Sequence, residues 1–189
     1  MKDKIKVYFE TISRNFLDLK NESVNIEQAI KYILQSLNSG NKIIFCGNGG
    51  SAGDSQHLAA ELMGRYKIDR DPLPAIALTV DTSALTAIGN DYGYENTFSR
   101  QLQGLGNKDD VLVAISTSGN SENVIKACQV AKKMGITSIG LTGSNKSKLS
   151  AEVDVCIKAS SNETNHIQEM HIAIGQLICG IVEETLFRK

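Results

Sequence analysis

Apolar side chains recur at Ile5, Tyr8, Phe9, Ile12 and Phe16, the three-and-four spacing that gives a helix one apolar face, and predict a helix over residues 5–20. A second helix is predicted behind it. Asn21 or Ser23 offers a cap, Ile26, Ile30, Ile33 and Leu34 form the apolar stripe, and Gly40 fits the stop. At residue 42 the period changes. The run KIIFC (42–46) is short, β-branched and followed at once by a glycine-rich turn, as a buried strand would be. Similar runs follow at 74–79 (PAIALT), 111–115 (VLVAI), 137–141 (TSIGL) and 153–157 (VDVCI). Helix-like stretches lie between and after them, at 51–66, 121–134 and about 163–186.

Strands alternating with helices of ten or more residues imply an α/β fold: a three-layer sandwich with a mainly parallel five-stranded sheet and helices on both faces. We read residues 1–189 as one domain, with 1–40 a helical extension and 41–189 the α/β core. Two helices added to a complete sheet layer still need somewhere to bury an apolar face, which points to a homo-oligomer. In parallel sheets ligands bind beyond the carboxyl ends of the strands, so the loops after each apolar run hold the chemistry.

Composition narrows the picture. Hydrophobic residues make up 41% and charged residues 22%, the balance of a folding chain. A formal net charge of -1 supplies no long-range field toward nucleic acid or an anionic membrane, so neither is expected as a partner. Cys46, Cys128, Cys156 and Cys179 are scattered through apolar stretches and read as buried hydrophobes. Lys2, Asp3 and Lys4 are followed by no continuous apolar run. No later segment is expected to approach the roughly 18 residues that span a bilayer, and a cytoplasmic location is expected.

The first strand runs into Gly47, Asn48, Gly49, Gly50, Ser51, Ala52 and Gly53 before a helix. Glycines let backbone amides approach an anion, and the helix start adds a favourable dipole. The spacing is not that of a dinucleotide fingerprint, and the lysine of a nucleotide P-loop is missing. Ser116, Thr117, Ser118, Gly119, Asn120 and Ser121 place four hydroxyls and a glycine between a strand and a helix, which suits phosphate capture without arginine. Ser118 or Asn120 could equally cap that helix, and the two roles are compatible. Thr142, Gly143, Ser144 and Asn145 form a lesser version of the same loop, either structural or binding.

Five ordered motifs, GNGGSAGDSQHLAAEL (47–62), GRY (64–66), AIGNDYG (87–93), ISTSGNS (115–121) and HIQEMH (166–171), closely resemble the phosphoheptose isomerase family of sugar isomerase, or SIS, domain proteins. The likeness covers nearly the whole chain, both leading helices included. It implies conversion of sedoheptulose 7-phosphate to D-glycero-D-manno-heptose 7-phosphate, the first step toward heptose for lipopolysaccharide, capsule or glycoprotein. It further implies a cytoplasmic homotetramer with sites at subunit interfaces, and often zinc. The implied substrate contacts are Asn48, Gly49, Gly50 and the adjoining Ser51, Glu61, Arg65, Asn90, Asp91, Ser116, Thr117, Ser118, Ser121 and Gln168. The implied zinc ligands are His57, Glu61, Gln168 and the position of Gln176, and the implied catalytic groups Glu61, Gln168 and Gln176.

Ketose–aldose exchange needs a base to carry a proton between adjacent carbons while the carbonyl oxygen is polarised. Glu61 is the candidate base. His57 and Glu61, four apart on a helix, project about 40° from each other and can meet one metal or one substrate. Gln168 and Gln176 are about 80° apart and share a broad face. Where the family has a histidine assigned as second acid or base and as zinc ligand, this chain has Gln176. An amide does not titrate and is a poorer zinc donor than imidazole. Zinc is therefore expected to bind weakly. Three outcomes are open: Gln176 orients substrate while water, another group or Glu61 alone carries the second proton; His171 or His166 substitutes, although His171 would sit roughly 140° from Gln176; or the protein is catalytically slow. The family's Asp-Arg pair is Asn165-His166 here, while Arg65 is retained and could contact substrate or brace Glu61. A binding protein similar to the DnaA initiator-associating protein, which lacks the glutamate, and an isomerase of another phosphosugar are the competing readings.

Overall fold

The computed structural model describes residues 1–188. Strand β1 (Ile43–Gly47) is buried along its whole length. It sits between β2 (Ala75–Ala77) and β3 (Val111–Ile115), and the sheet continues through β4 (Thr137–Thr142) to β5 (Val155–Lys158). The order is β2-β1-β3-β4-β5 with every pair parallel, as the alternating pattern requires. The edge strand β2 is shorter than its apolar run.

The pleat sends alternate residues to opposite faces and so divides the core in two. Ile43, Phe45, Val111 and Val113 pack with residues of α2 (Ser23–Asn38), α3 (Gly50–Met63) and α8 (Thr164–Phe187). Ile44, Cys46, Leu112 and Ala114 pack with residues of α5 (Thr97–Leu105) and α6 (Glu122–Met134). The three layers follow from these two faces. The crossing of α8 over α3 is close because residue 175 is glycine; a Cβ there would lie 2.4 Å from Leu58 Cδ1.

At the amino terminus, α1 (Lys2–Asp18) and α2 are joined by a 3-10 turn (Leu19–Glu22), making one nearly unbroken helical arm where two helices were expected. The expected cap at Asn21 or Ser23 is not used; Glu22 occupies the N-cap and makes no side-chain cap bond. No residue of α1 is buried. An open apolar groove of about 520 Å³, lined by Phe16, Leu19, Ile26, Ile30, Ile174 and Ile181 among others, runs along the junction of this arm with α8.

Two helices between β2 and β3, α4 (Thr82–Tyr92) and α5, stand where the periodicity gave no helix, as does the single turn α7 (Leu149–Glu152). A start signal for α4 was present: Asp81 accepts a bond from the Ala84 amide at 2.9 Å. One expectation is corrected. By length and composition α8, with 24 residues, could cross a bilayer. Its buried face packs against α3 and the sheet, and burial is reason enough for a core helix to be apolar.

Candidate active site

From β1 the chain goes out to β2 and then returns across the sheet to β3 on the other side of β1. The carboxyl ends of β1 and β3 thus flank the topological switch point, where open parallel sheets leave a crevice. The register pairs Gly47 with Ile115, so the glycine loop and the hydroxyl loop leave the sheet side by side.

Neither of the helices that follow is capped by a side chain. The N-cap of α3 is Gly49, at φ 56°, a backbone region that favours glycine. The N-cap of α6 is Ser121, whose hydroxyl lies 3.1 Å from Ser116 Oγ rather than on the helix amides. Capping by Ser118 or Asn120 therefore does not occur. Ser118 Oγ is 3.5 Å from Ser116 Oγ and accepts from the Asn120 amide, so three hydroxyls gather at an uncapped helix start. Thr117 is half-buried between them. By contrast, Ser144 donates to Ser161 O and Thr142 to Gly143 O, which makes that third loop structural.

The floor of the crevice is fixed by a pair that sequence reading missed. Asn48 Nδ2 donates to Asn123 Oδ1 at 2.8 Å, Asn123 Nδ2 returns a bond to Asn48 Oδ1 at 2.9 Å, and Tyr94 Oη donates to the same oxygen at 2.9 Å. Asn90 and Asp91, at the exposed end of α4, bond to each other. Ser51 is buried at the start of α3. Gln168 lies against the backbone of Gly50, where a Cβ would fall 2.0 Å from its amide nitrogen.

Further along α3, His57 Nε2 is 3.0 Å from Glu61 Oε1 and 3.1 Å from Gln176 Nε2, so three expected residues form one row. The His57 side chain is 51% exposed and that of Glu61 21%, which leaves the carboxylate open to a substrate. One ring nitrogen serves one role at a time. Nε2 therefore either donates to the Glu61 carboxylate or accepts from the Gln176 amide, one of these bonds at a time. Gly50 and His57 are seven residues, roughly 10 Å of helix axis, apart, so Gln168 and the row form two groups.

His171 is fully buried, and Nε2 donates to Thr142 O at 3.1 Å. Burial pushes its pKa down to about 4, so it is neutral at ordinary pH and lies in the core rather than at the crevice. His166 Nδ1 faces Asn15 of α1. Neither histidine bonds to the row of His57, Glu61 and Gln176. Asp54, nearly buried on the first turn of α3, has an unpartnered Oδ2, and burial raises its carboxyl to about 6 despite the nearby His57.

Arg65 is exposed. Of the two roles offered for it, contact with substrate or a brace for Glu61, the brace is made instead by Arg70, whose guanidinium donates to the carbonyls of Glu61, Leu62, Gly64 and Asp71 at 2.7 to 3.0 Å. Arg70 Nε also meets Glu183 Oε2 at 3.2 Å, with both side chains 2% exposed. Glu183 in turn accepts from the amides of Tyr66, Lys67 and Ile68. Burial works to raise this carboxyl, but those three amides and Arg70 hold it below its ordinary value.

Zinc requires a donor set that these residues supply only in part. Among the described residues no three His, Cys, Asp or Glu side chains come together. Beyond His57 and Glu61, a tetrahedral ion would depend on amide oxygens, of which that of Gln168 belongs to the other group. The set does not fit a tightly held zinc.

Residues 7–143 match the SIS domain family. Over 187 residues, 99% of each chain, the sequence is 51% identical to a phosphoheptose isomerase of Akkermansia muciniphila. It is 50% identical over 186 residues to one of Rhodospirillum rubrum, covering 98% of this chain and 99% of that one. The fold superposes on the solved phosphoheptose isomerase of Neisseria gonorrhoeae with a TM-score of 0.91 at 41% identity, covering 97% of this chain and 98% of that one.

Proposed function

Because the chain belongs to the phosphoheptose isomerases, a family of SIS-domain enzymes, we propose that it converts sedoheptulose 7-phosphate to D-glycero-D-manno-heptose 7-phosphate, with Glu61 as the base. The observation that carries this reading is the hydroxyl cluster of Ser116, Ser118 and Ser121 at the uncapped start of α6, beside the loop that leads into the helix bearing Glu61. Hydroxyls and backbone amides at a helix start bind phosphate without a fixed cation.

In this mechanism Asn48, Gly49, Gly50 and Ser51 line one side of the crevice and Ser116, Thr117, Ser118 and Ser121 the other. Arg65, Asn90, Asp91 and Gln168 complete the substrate contacts. Glu61 removes a proton from the hydroxymethyl carbon beside the ketone. The electron pair left behind forms the carbon–carbon double bond of an enediolate, with the charge on the former ketone oxygen. Glu61 then returns its proton to the former ketone carbon, while the hydroxyl proton of the first carbon passes to the neighbouring oxygen through solvent. One carboxylate suffices for transfer between adjacent carbons. His57 and Gln176 stand in a row beside Glu61 and orient it, and no step passes through zinc.

The working form is a homotetramer in the cytoplasm, making a heptose phosphate for lipopolysaccharide, capsule or glycoprotein. Support for assembly is the exposed apolar face of α1, with Phe9 64% and Leu17 64% exposed. The four free cysteines suit a reducing compartment. Incubation of the purified protein with sedoheptulose 7-phosphate tests the reaction: aldose product is expected, and absence of turnover overturns the proposal. Glu61→Gln retaining full activity overturns only the assignment of the base.

A further inference from the structure

We propose that Arg70 and Glu183 are positioning residues for Glu61, clamping the carboxyl end of α3 to α8 so that the base keeps its place. The inference rests on the reading of Glu61 as base and adds two residues which that reading does not use. The Arg70 guanidinium spans four backbone carbonyls, and one of them, at 2.9 Å, is that of Glu61 itself. The last carbonyls of a helix lack partners within it and carry the negative end of its dipole, so a buried cation there fixes the final turn. Glu183 holds the cation and collects the Tyr66, Lys67 and Ile68 amides, which fastens the intervening loop to α8.

The placement on α8 explains what the clamp accomplishes. Glu183 lies seven residues, about two turns, beyond Gln176 on nearly the same helix face. The two helices are therefore tied twice, once through His57 and Gln176 and once through the Glu61 carbonyl, Arg70 and Glu183. Glu61 stands between the ties. Lysine at position 70 keeps the charge but cannot reach four carbonyls in a planar fork, so Arg70→Lys loosens the last turn without leaving the Glu183 charge unpaired.

Arg70→Lys and Glu183→Gln, each made in the wild type and in Glu61→Gln, test the proposal through steady-state kinetics on sedoheptulose 7-phosphate, with circular dichroism and sedimentation confirming fold and assembly. In the wild-type background we expect kcat to fall roughly ten- to a hundredfold with KM changed less than about threefold, because a displaced base slows chemistry while the phosphate loops are untouched. In Glu61→Gln the same changes should leave residual turnover within about twofold, since no base remains to be displaced. A folded Arg70→Lys that keeps its kcat overturns the proposal. So does an equal fold-loss in both backgrounds, which marks a purely structural brace. If Arg70→Lys does not fold, Glu183→Gln decides by the same two readings. An active Glu61→Gln overturns the base itself, and the two failures remain distinct.

Discussion

At residue 171 a histidine with its ring buried and Nε2 on a carbonyl gives the fold an acid sensitivity with a definite sign. Its folded pKa is lowered to about 4 from 6.5. Above pH 6.5 both states are neutral and nothing is lost. As pH falls from 6.5 toward 4, only the unfolded chain takes up the proton, so the native state loses up to ~3 kcal/mol. Asp54 acts in the opposite sense. Its carboxyl is raised to about 6 from 3.8, so its contribution is fully present below 3.8 and is lost as pH rises through 6. Urea unfolding at pH 5 and pH 8 checks both: His171→Asn should lose less stability on acidification than the wild type, and Asp54→Asn should gain stability at pH 8. An unchanged pH slope in His171→Asn would contradict the first assignment. At residue 176, Gln176→His should tighten zinc binding at least tenfold by isothermal titration of metal-stripped protein, because imidazole replaces an amide donor. Nanomolar affinity in the wild type would show that the amide is no handicap.

At the scale of elements, the legible parts were those whose signal is local. The run VLVAI became β3 (Val111–Ile115) without shift because a strand buried on both faces must be apolar throughout. The glycine and hydroxyl loops were legible for a similar reason, since each lies within a few residues of a strand end. Helices α4 and α5 were missed: α4 buries no residue fully, so it shows no clear apolar stripe. The Arg70–Glu183 clamp was invisible because its partners are 113 residues apart, and only the fold brings them together. The same holds for Asn48 and Asn123, 75 apart. The close crossing of α3 and α8 makes its own prediction. Gly175→Val would drive a side chain into Leu58 and should cost about 1–3 kcal/mol in urea unfolding, with kcat reduced because the row from His57 to Gln176 is displaced. Full stability in that variant would mean the helices have room to part.

For the whole molecule, the open crevice and the uncovered amino-terminal arm belong to one account. Introducing charge on the apolar face of the arm, Phe9→Glu together with Leu17→Glu, should lower the sedimenting mass below that of a tetramer and reduce activity in parallel. A tetramer of full activity would place the subunit contacts elsewhere. The central claim is that Glu61 moves a proton between adjacent carbons of a phosphorylated ketose. It is tested most directly by proton NMR of sedoheptulose 7-phosphate in deuterated water. With the wild-type protein the account predicts aldose product whose second carbon carries hydrogen moved from the first carbon, replaced by solvent deuterium only as far as the Glu61 carboxyl exchanges before returning it, and with Glu61→Gln a loss of at least about a thousandfold in that rate. Undiminished aldose formation by Glu61→Gln, or no conversion by the wild type, would contradict it.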